Sequence, residues 1–180
     1  MGDNAKIYAF EPSLQTFNTL LSNTTTIKNL EKFNFGFSDT NQNLTLYFDN
    51  PNSGMASVYK RNLEYSCFNQ SEEIKVMTID EFSEEMGIQE IDFLKLDVEG
   101  HEYRVLLGAK DLINNDKIKH IQFEFGGCNI DSRTYFRDFY YLLHPKYELF
   151  RILRDGVLRI DQYRETLEIF TTTNFLAIHR

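Results

Sequence analysis

Tryptophan is absent from this 180-residue chain, cysteine occurs twice and proline three times. Two cysteines as far apart as Cys67 and Cys128 make neither a metal knuckle nor a disulfide framework, so both are expected as free thiols in a reducing compartment. No apolar run approaches the ~20 residues of a membrane span. No basic stretch followed by an apolar segment marks the N-terminus as a secretion signal. A soluble, cytoplasmic protein is the expectation. Basic residues are also in deficit, 19 against 27 acidic ones for a formal charge of -8, and none of them gather into a block. Nucleic acid is therefore not an expected partner. Internal repeats, low-complexity tracts and linkers are lacking too. One domain over residues 1–180 follows, long enough to bury ~70% of its unfolded surface.

Aromatic residues are plentiful instead, 16 Phe and 10 Tyr, and most should fill a core or line a sheet. Strand patterns at Lys6–Phe10, Lys32–Phe37, Leu44–Phe48, Ile91–Leu96, Ile118–Phe125, Tyr147–Leu153 and Phe175–Ile178 are interleaved with helical patterns over Leu14–Asn23, Asp80–Met86 and Arg133–Leu143. Glu73–Met77 reads as an edge strand and Asn50–Ser57 as a loop, and Thr78 with Glu81 has capping-box spacing. The alternation predicts an α/β fold with a mostly parallel sheet, helices on both faces and an antiparallel hairpin at its end. Tyr135, Phe136, Tyr140 and Tyr141 read as a helix face packed on that sheet, with a sugar-stacking wall as the alternative.

The densest chemistry lies in Ile91–Ala109, where the buried-strand pattern of Phe93, Leu94, Leu96 and Val98 runs into Asp97, Glu99 and Gly100. Val105, Leu106, Ala109, Leu112 and Ile113 then recur at helical spacing. Strand, acidic turn and helix form one crossover unit, the junction at which open α/β sheets collect reactive groups. Lys95 alternates with Leu94 and Leu96 and is expected to pair with a carboxylate rather than to act as a base.

Three segments in order, Tyr8-Ala9-Phe10-Glu11-Pro12, Thr78-Ile79-Asp80-Glu81-Phe82 and Lys95-Leu96-Asp97-Val98-Glu99-Gly100-His101-Glu102, with Ile118–Gly126 beyond them, resemble the FkbM-type methyltransferases. The likeness runs from about Lys6 to Phe125 and more loosely to the end. It implies a Rossmann-like sheet in the strand order 3-2-1-4-5-7-6, S-adenosylmethionine as cofactor, and methylation of a hydroxyl oxygen on a sugar or small metabolite. Strand 1 and a glycine-rich loop precede the Ala-Phe-Glu-Pro segment in that family, and no G-x-G-x-G motif occurs in this chain. The sheet is thus expected to look truncated at its N-terminus. Three explanations stand open: a shortened N-terminus, direct pairing of strands 2 and 4, or completion by another chain, whether a second copy or a different sheet-completing partner.

The same resemblance places Glu11 on the cofactor ribose and Ser38 and Asp39 around its adenine, and turn residues are the alternative for all three. Asp97 and Glu99 fall at the strand end facing the transferred methyl, where a carboxylate can remove the acceptor proton and suit a cation that loses its charge; helix capping is the alternative. His101 titrates in the range for general base work, Glu102 belongs to the motif, and Glu124 beside Gly126-Gly127 could bind substrate hydroxyls or serve a buried role. The cluster of Asp97, Glu99, Glu102 and Glu124 suits a hard cation by ligand type but matches no calcium-loop spacing, and no metal is expected. The competing reading is a non-catalytic binding or structural module, and a dinucleotide oxidoreductase is weaker because its glycine fingerprint is missing.

Overall fold

The computed structural model describes residues 5–180. Its strands are β1 (Ile7–Phe10), β2 (Leu30–Phe33), β3 (Gly36–Phe37), β4 (Gln42–Phe48), β5 (Asn62–Leu63), β6 (Ser66–Cys67), β7 (Gln70–Met77), β8 (Leu94–Leu96), β9 (His120–Phe125), β10 (Tyr147–Leu153), β11 (Gly156–Ile160) and β12 (Thr173–His179). Between them lie α1 (Leu14–Asn23), α2 (Ile79–Glu85), α3 (Glu102–Leu107), α4 (Lys110–Asn114), α5 (Cys128–Ser132) and α6 (Phe136–Leu143).

The architecture is α/β, but the single, mostly parallel sheet expected from the alternation is not what forms. The strands divide among a five-stranded sheet in the order β11-β10-β12-β9-β8, a three-stranded sheet β3-β7-β4 and two pairs, β1-β2 and β5-β6. Parallel pairing is confined to β1 with β2, β3 with β7 and β8 with β9, and the other pairs are antiparallel. The antiparallel part arises after α6: β10 and β11 form a hairpin through the Arg154-Asp155 turn, and β12 then inserts antiparallel between β10 and β9. Direct pairing of the strands the family numbers 2 and 4 is also not found, since among the described residues β1 ladders only with β2 and β8 only with β9.

Two further strand expectations change. Lys32–Phe37 splits, because Asn34 turns aside to donate to the carbonyls of Glu11 and Pro12 at 2.9 and 3.0 Å, after which Gly36 and Phe37 pair with β7. Ile91–Leu96, read as central, is an edge among the described strands and is reduced to Leu94–Leu96. Conversely Glu73–Met77, read as an edge, lies within the middle strand of its sheet, where Ile74 and Val76 alternate inward against Leu46. The cap of α2 forms as expected, Thr78 Oγ1 accepting the Glu81 N–H at 3.1 Å.

The main core lies between the five-stranded sheet and helices α3, α4 and α6. Phe123 stacks on Phe139 at 4.7 Å and Phe136 sits 4.6 Å from Phe175, so α6 is clamped to β9 and β12 by aromatic rings. Phe136 and Tyr140 are therefore core, while Tyr135 and Tyr141 stay exposed, so a continuous four-residue aromatic wall does not exist. Phe82 of α2 collects Phe10, Phe33, Phe35 and Phe37 around itself at ring separations of 4.9 to 5.9 Å and so ties β1 and β2 to the rest. Among the described residues no helix is long and apolar enough to cross a membrane.

Candidate active site

The site is built on the turn that follows β8. Glu99 and Gly100 have φ of 52° and 99°, two successive left-handed residues that reverse the chain before α3. Glycine is required at the second, since a Cβ there would stand 2.9 Å from the carbonyl oxygen of Cys128. Glu102, at the start of α3, is fully buried and closes the turn: Oε1 accepts the Val98 N–H at 3.0 Å and Oε2 the Gly100 N–H at 3.0 Å. Burial pushes its pKa up to about 7 against the pull of those amides, and the Glu124 charge adds to the rise. Both oxygens of Glu102 are thus engaged by the backbone of the turn.

Glu99 and Glu124, from the ends of neighbouring parallel strands, bring carboxylate oxygens within 4.8 Å of each other and of the Cys128 thiol. Burial raises both carboxyl pKa values. The Glu124 charge raises Glu99 further, Asp97 raises both, and Arg61 opposes the rise at both. Asp97 itself is half-exposed and paired with Lys95 at 2.8 Å, the carboxylate partnership expected of that lysine. Distance admits a metal ion among Glu99, Glu124 and Cys128, yet the guanidinium of Arg61 already lies 3.2 Å from Glu99. Burial also pushes the Cys128 thiol up to about 12, away from the thiolate a metal needs.

A second group forms around His101, which is buried between three elements. Ser38 Oγ gives its proton to Asp39 Oδ1 at 3.0 Å and so must accept from His101 Nε2–H at 2.9 Å. The other ring nitrogen, Nδ1, is then an acceptor and takes the Tyr59 O–H at 3.0 Å. The chain of donors ends at Asp39, whose second oxygen receives Arg104 at 2.8 Å. Burial raises the Asp39 carboxyl, and the Arg104 and Ser38 hydrogen bonds outweigh it, leaving the pKa below the usual value. Burial takes the His101 pKa down to about 4, Asp39 working against that and Arg104 with it. His101 is a neutral imidazole with both nitrogens occupied by protein partners.

Glu11 stands apart, with no hydrogen bond or ion pair to either group among the described residues. It follows β1, is half-buried, and one oxygen accepts the Ser13 N–H at 2.8 Å while the other has no protein hydrogen bond among the described residues. Burial raises its pKa, the Ser13 amide lowers it and Glu72 raises it again.

Residues 1–152 match the family model described as the methyltransferase FkbM domain. The chain belongs to the FkbM methyltransferase family. No curated protein matches it. Among solved structures, the crystal structure of methyltransferase FkbM from Methylobacillus flagellatus KT at 2.20 Å resolution superposes with a TM-score of 0.50 at 18% identity, over 96% of this chain and 36% of that one. At such identity the likeness concerns the fold, and the chain spans little more than a third of that protein's length. Within this FkbM family member the structure joins Asp97, Glu99 and Glu124 in one acidic group and Ser38, Asp39 and His101 in another, and leaves Glu11 separate. The sequence reading missed Ser57, Tyr59 and Arg61, which reach the turn from some 40 residues upstream; a buried-charge pattern was not visible there, and the one local cue was an arginine next to a polar loop.

Proposed function

We propose that this chain is an S-adenosylmethionine-dependent methyltransferase on a Rossmann-like scaffold, acting on a hydroxyl oxygen of a sugar or small metabolite. The observation that carries the reading is the Glu99–Glu124 pair, two half-buried carboxyl groups at the ends of adjacent parallel strands, both with raised pKa. Carboxyl groups so disposed hold a proton more readily than solvated ones, as a general base for a hydroxyl must. Their net negative charge, with Asp97 alongside, also favours a cationic donor next to them.

The cofactor supplies an electrophilic methyl on a positively charged sulfur. Glu11 fits it in chemistry, because its unengaged oxygen can accept hydrogen bonds from ribose hydroxyls while the Ser13 amide fixes the other. Asp39, half-buried and fixed by Ser38 and Arg104, is the member of the second group suited to orient a nucleobase, with the buried Ser38 and His101 behind it. At the acceptor, a carboxylate of the Glu99–Glu124 pair would take the hydroxyl proton, leaving the acceptor oxygen's lone pair to bond the methyl carbon while the carbon–sulfur bond breaks and the sulfur keeps its electron pair as a neutral thioether.

Calorimetry with S-adenosylhomocysteine, followed by transfer of labelled methyl from S-adenosylmethionine to a panel of hydroxyl acceptors, tests this. Binding by the unaltered protein and loss of transfer in Glu99→Gln and Glu124→Gln are expected. Absence of S-adenosylhomocysteine binding overturns the reading.

A further inference from the structure

Three residues from one short stretch ahead of β5 grip the acidic turn. Ser57 Oγ donates to the Glu99 carbonyl at 2.7 Å, Tyr59 donates to His101 at 3.0 Å, and Arg61 Nη1 donates to the Glu99 carboxylate at 3.2 Å. The stretch is itself anchored, since Ser57 and Tyr47 of β4 exchange backbone hydrogen bonds of 2.8 and 3.0 Å. Arg61 also lies 3.4 Å from Asp131 of α5, and its side chain is only 9% exposed. A guanidinium is rarely withdrawn from water this far, and Nε is left without a hydrogen bond among the described residues in the process. The cost falls beside Glu99, a non-glycine residue in the left-handed region, a conformation that persists only where its surroundings over-determine it.

We propose that Arg61 is a positioning residue for the acidic pair: by donating to the Glu99 carboxylate it favours the ionised form there, and so leaves Glu124 as the group that receives the acceptor's proton. This division of labour rests on the methyl-transfer reading, although the electrostatic arrangement does not. Two like carboxyl groups this close cannot both ionise easily, and an arginine on one of them decides which does. Glu99 faces Arg61 and Ser57 from the upstream stretch, Cys128 from α5, and the Asp97 and Glu124 charges that oppose Arg61, and among the described residues Arg61 alone hydrogen-bonds its carboxylate. Glu124 faces Asp97 and Lys95 from β8 and its end, with Glu102 behind it and Arg61 beyond. Ionised Glu99 next to Glu124 raises the proton affinity of Glu124, which is what a base for a weakly acidic hydroxyl needs.

The test is a carbon-13 NMR titration of the Glu99 and Glu124 carboxyl groups in the full chain, unaltered and as Arg61→Gln and Arg61→Lys. In the unaltered protein Glu99 is expected to ionise at lower pH than Glu124. Arg61→Gln should raise the Glu99 midpoint by about one pH unit or more, and Arg61→Lys should restore part of the difference. Glu124 ionising first in the unaltered protein, or a Glu99 midpoint unmoved by Arg61→Gln, overturns the proposal. The first of these outcomes is decisive even if the glutamine variant does not fold. Calorimetry with S-adenosylhomocysteine runs on the same samples: lost binding alongside the expected titration removes the methyltransferase reading and leaves the role of Arg61 in ordering the pair.

Discussion

A carboxylate oxygen without a partner among the described residues is what distinguishes Glu11 from an ordinary turn residue, because the Ser13 amide is already met by the other oxygen. Glu11→Gln should weaken S-adenosylhomocysteine binding by ~1.5 to 3 kcal/mol, the worth of a charge-assisted pair, while calorimetric unfolding stays close to that of the unaltered protein. Unchanged affinity would remove Glu11 from the site. Asp97 presents the opposite case, half-exposed and held by Lys95 two residues before it at the end of β8. An exposed ion pair of this type stabilises by at most about 1 kcal/mol. Asp97→Asn should therefore move the melting temperature little, and a fall in methyl transfer of ~100-fold, measured with an established acceptor, would show that the charge serves the reaction. A lower melting temperature with normal transfer would assign Asp97 to the turn instead.

At the scale of the element, the first turn of α3 carries two buried groups whose titrations oppose each other. His101, with its pKa taken from 6.5 down to about 4, binds fewer protons folded than unfolded, so its contribution is complete above pH 6.5 and disappears as pH falls through 4. Glu102, taken from 4.5 up to about 7, binds more protons folded, so its contribution is complete below pH 4.5 and disappears as pH rises through 7. Between those limits the slopes offset one another. His101→Gln should leave a protein whose melting temperature climbs as pH is lowered from 7 to 4.5, and Glu102→Gln one whose melting temperature drops from pH 6.5 to 4. Parallel profiles for all three proteins would reject both assignments. The sequence made this element legible up to a point: strand, acidic turn, Gly100 and helix are encoded locally in periodicity and backbone freedom, and so is the Lys95–Asp97 pair two residues apart. It could not show that His101 is sealed between Ser38 and Tyr59, because both partners arrive through tertiary packing from other elements. The same holds for sheet order, since hydrophobic alternation marks a strand as half-buried but carries no record of its neighbour's direction.

Across the whole molecule, the β1-β2 pair is attached to the rest through side chains around Phe82 and not through a backbone ladder to the five-stranded sheet. Hydrogen exchange of the native protein should report this as two classes of amide, with β1 and β2 opening at lower free energy than β9 and β12. Equal protection across all four strands would show that the aromatic packing couples them fully. Ladder edges on β1 and β8 that pair with no strand among the described residues also predict association that grows with protein concentration, measurable by sedimentation, because unpaired backbone groups on an edge template further strands. The two thiols offer a way to watch the molecule at work. Cys128 is buried with its pKa near 12 and should ignore alkylating reagents, whereas Cys67 is exposed at the end of the β5-β6 hairpin. That hairpin begins one residue after Arg61. A fluorophore on Cys67 is consequently a single-site reporter on the stretch that grips the acidic turn, and a change in its emission on adding ligand would register loosening or tightening of that grip without any knowledge of the acceptor.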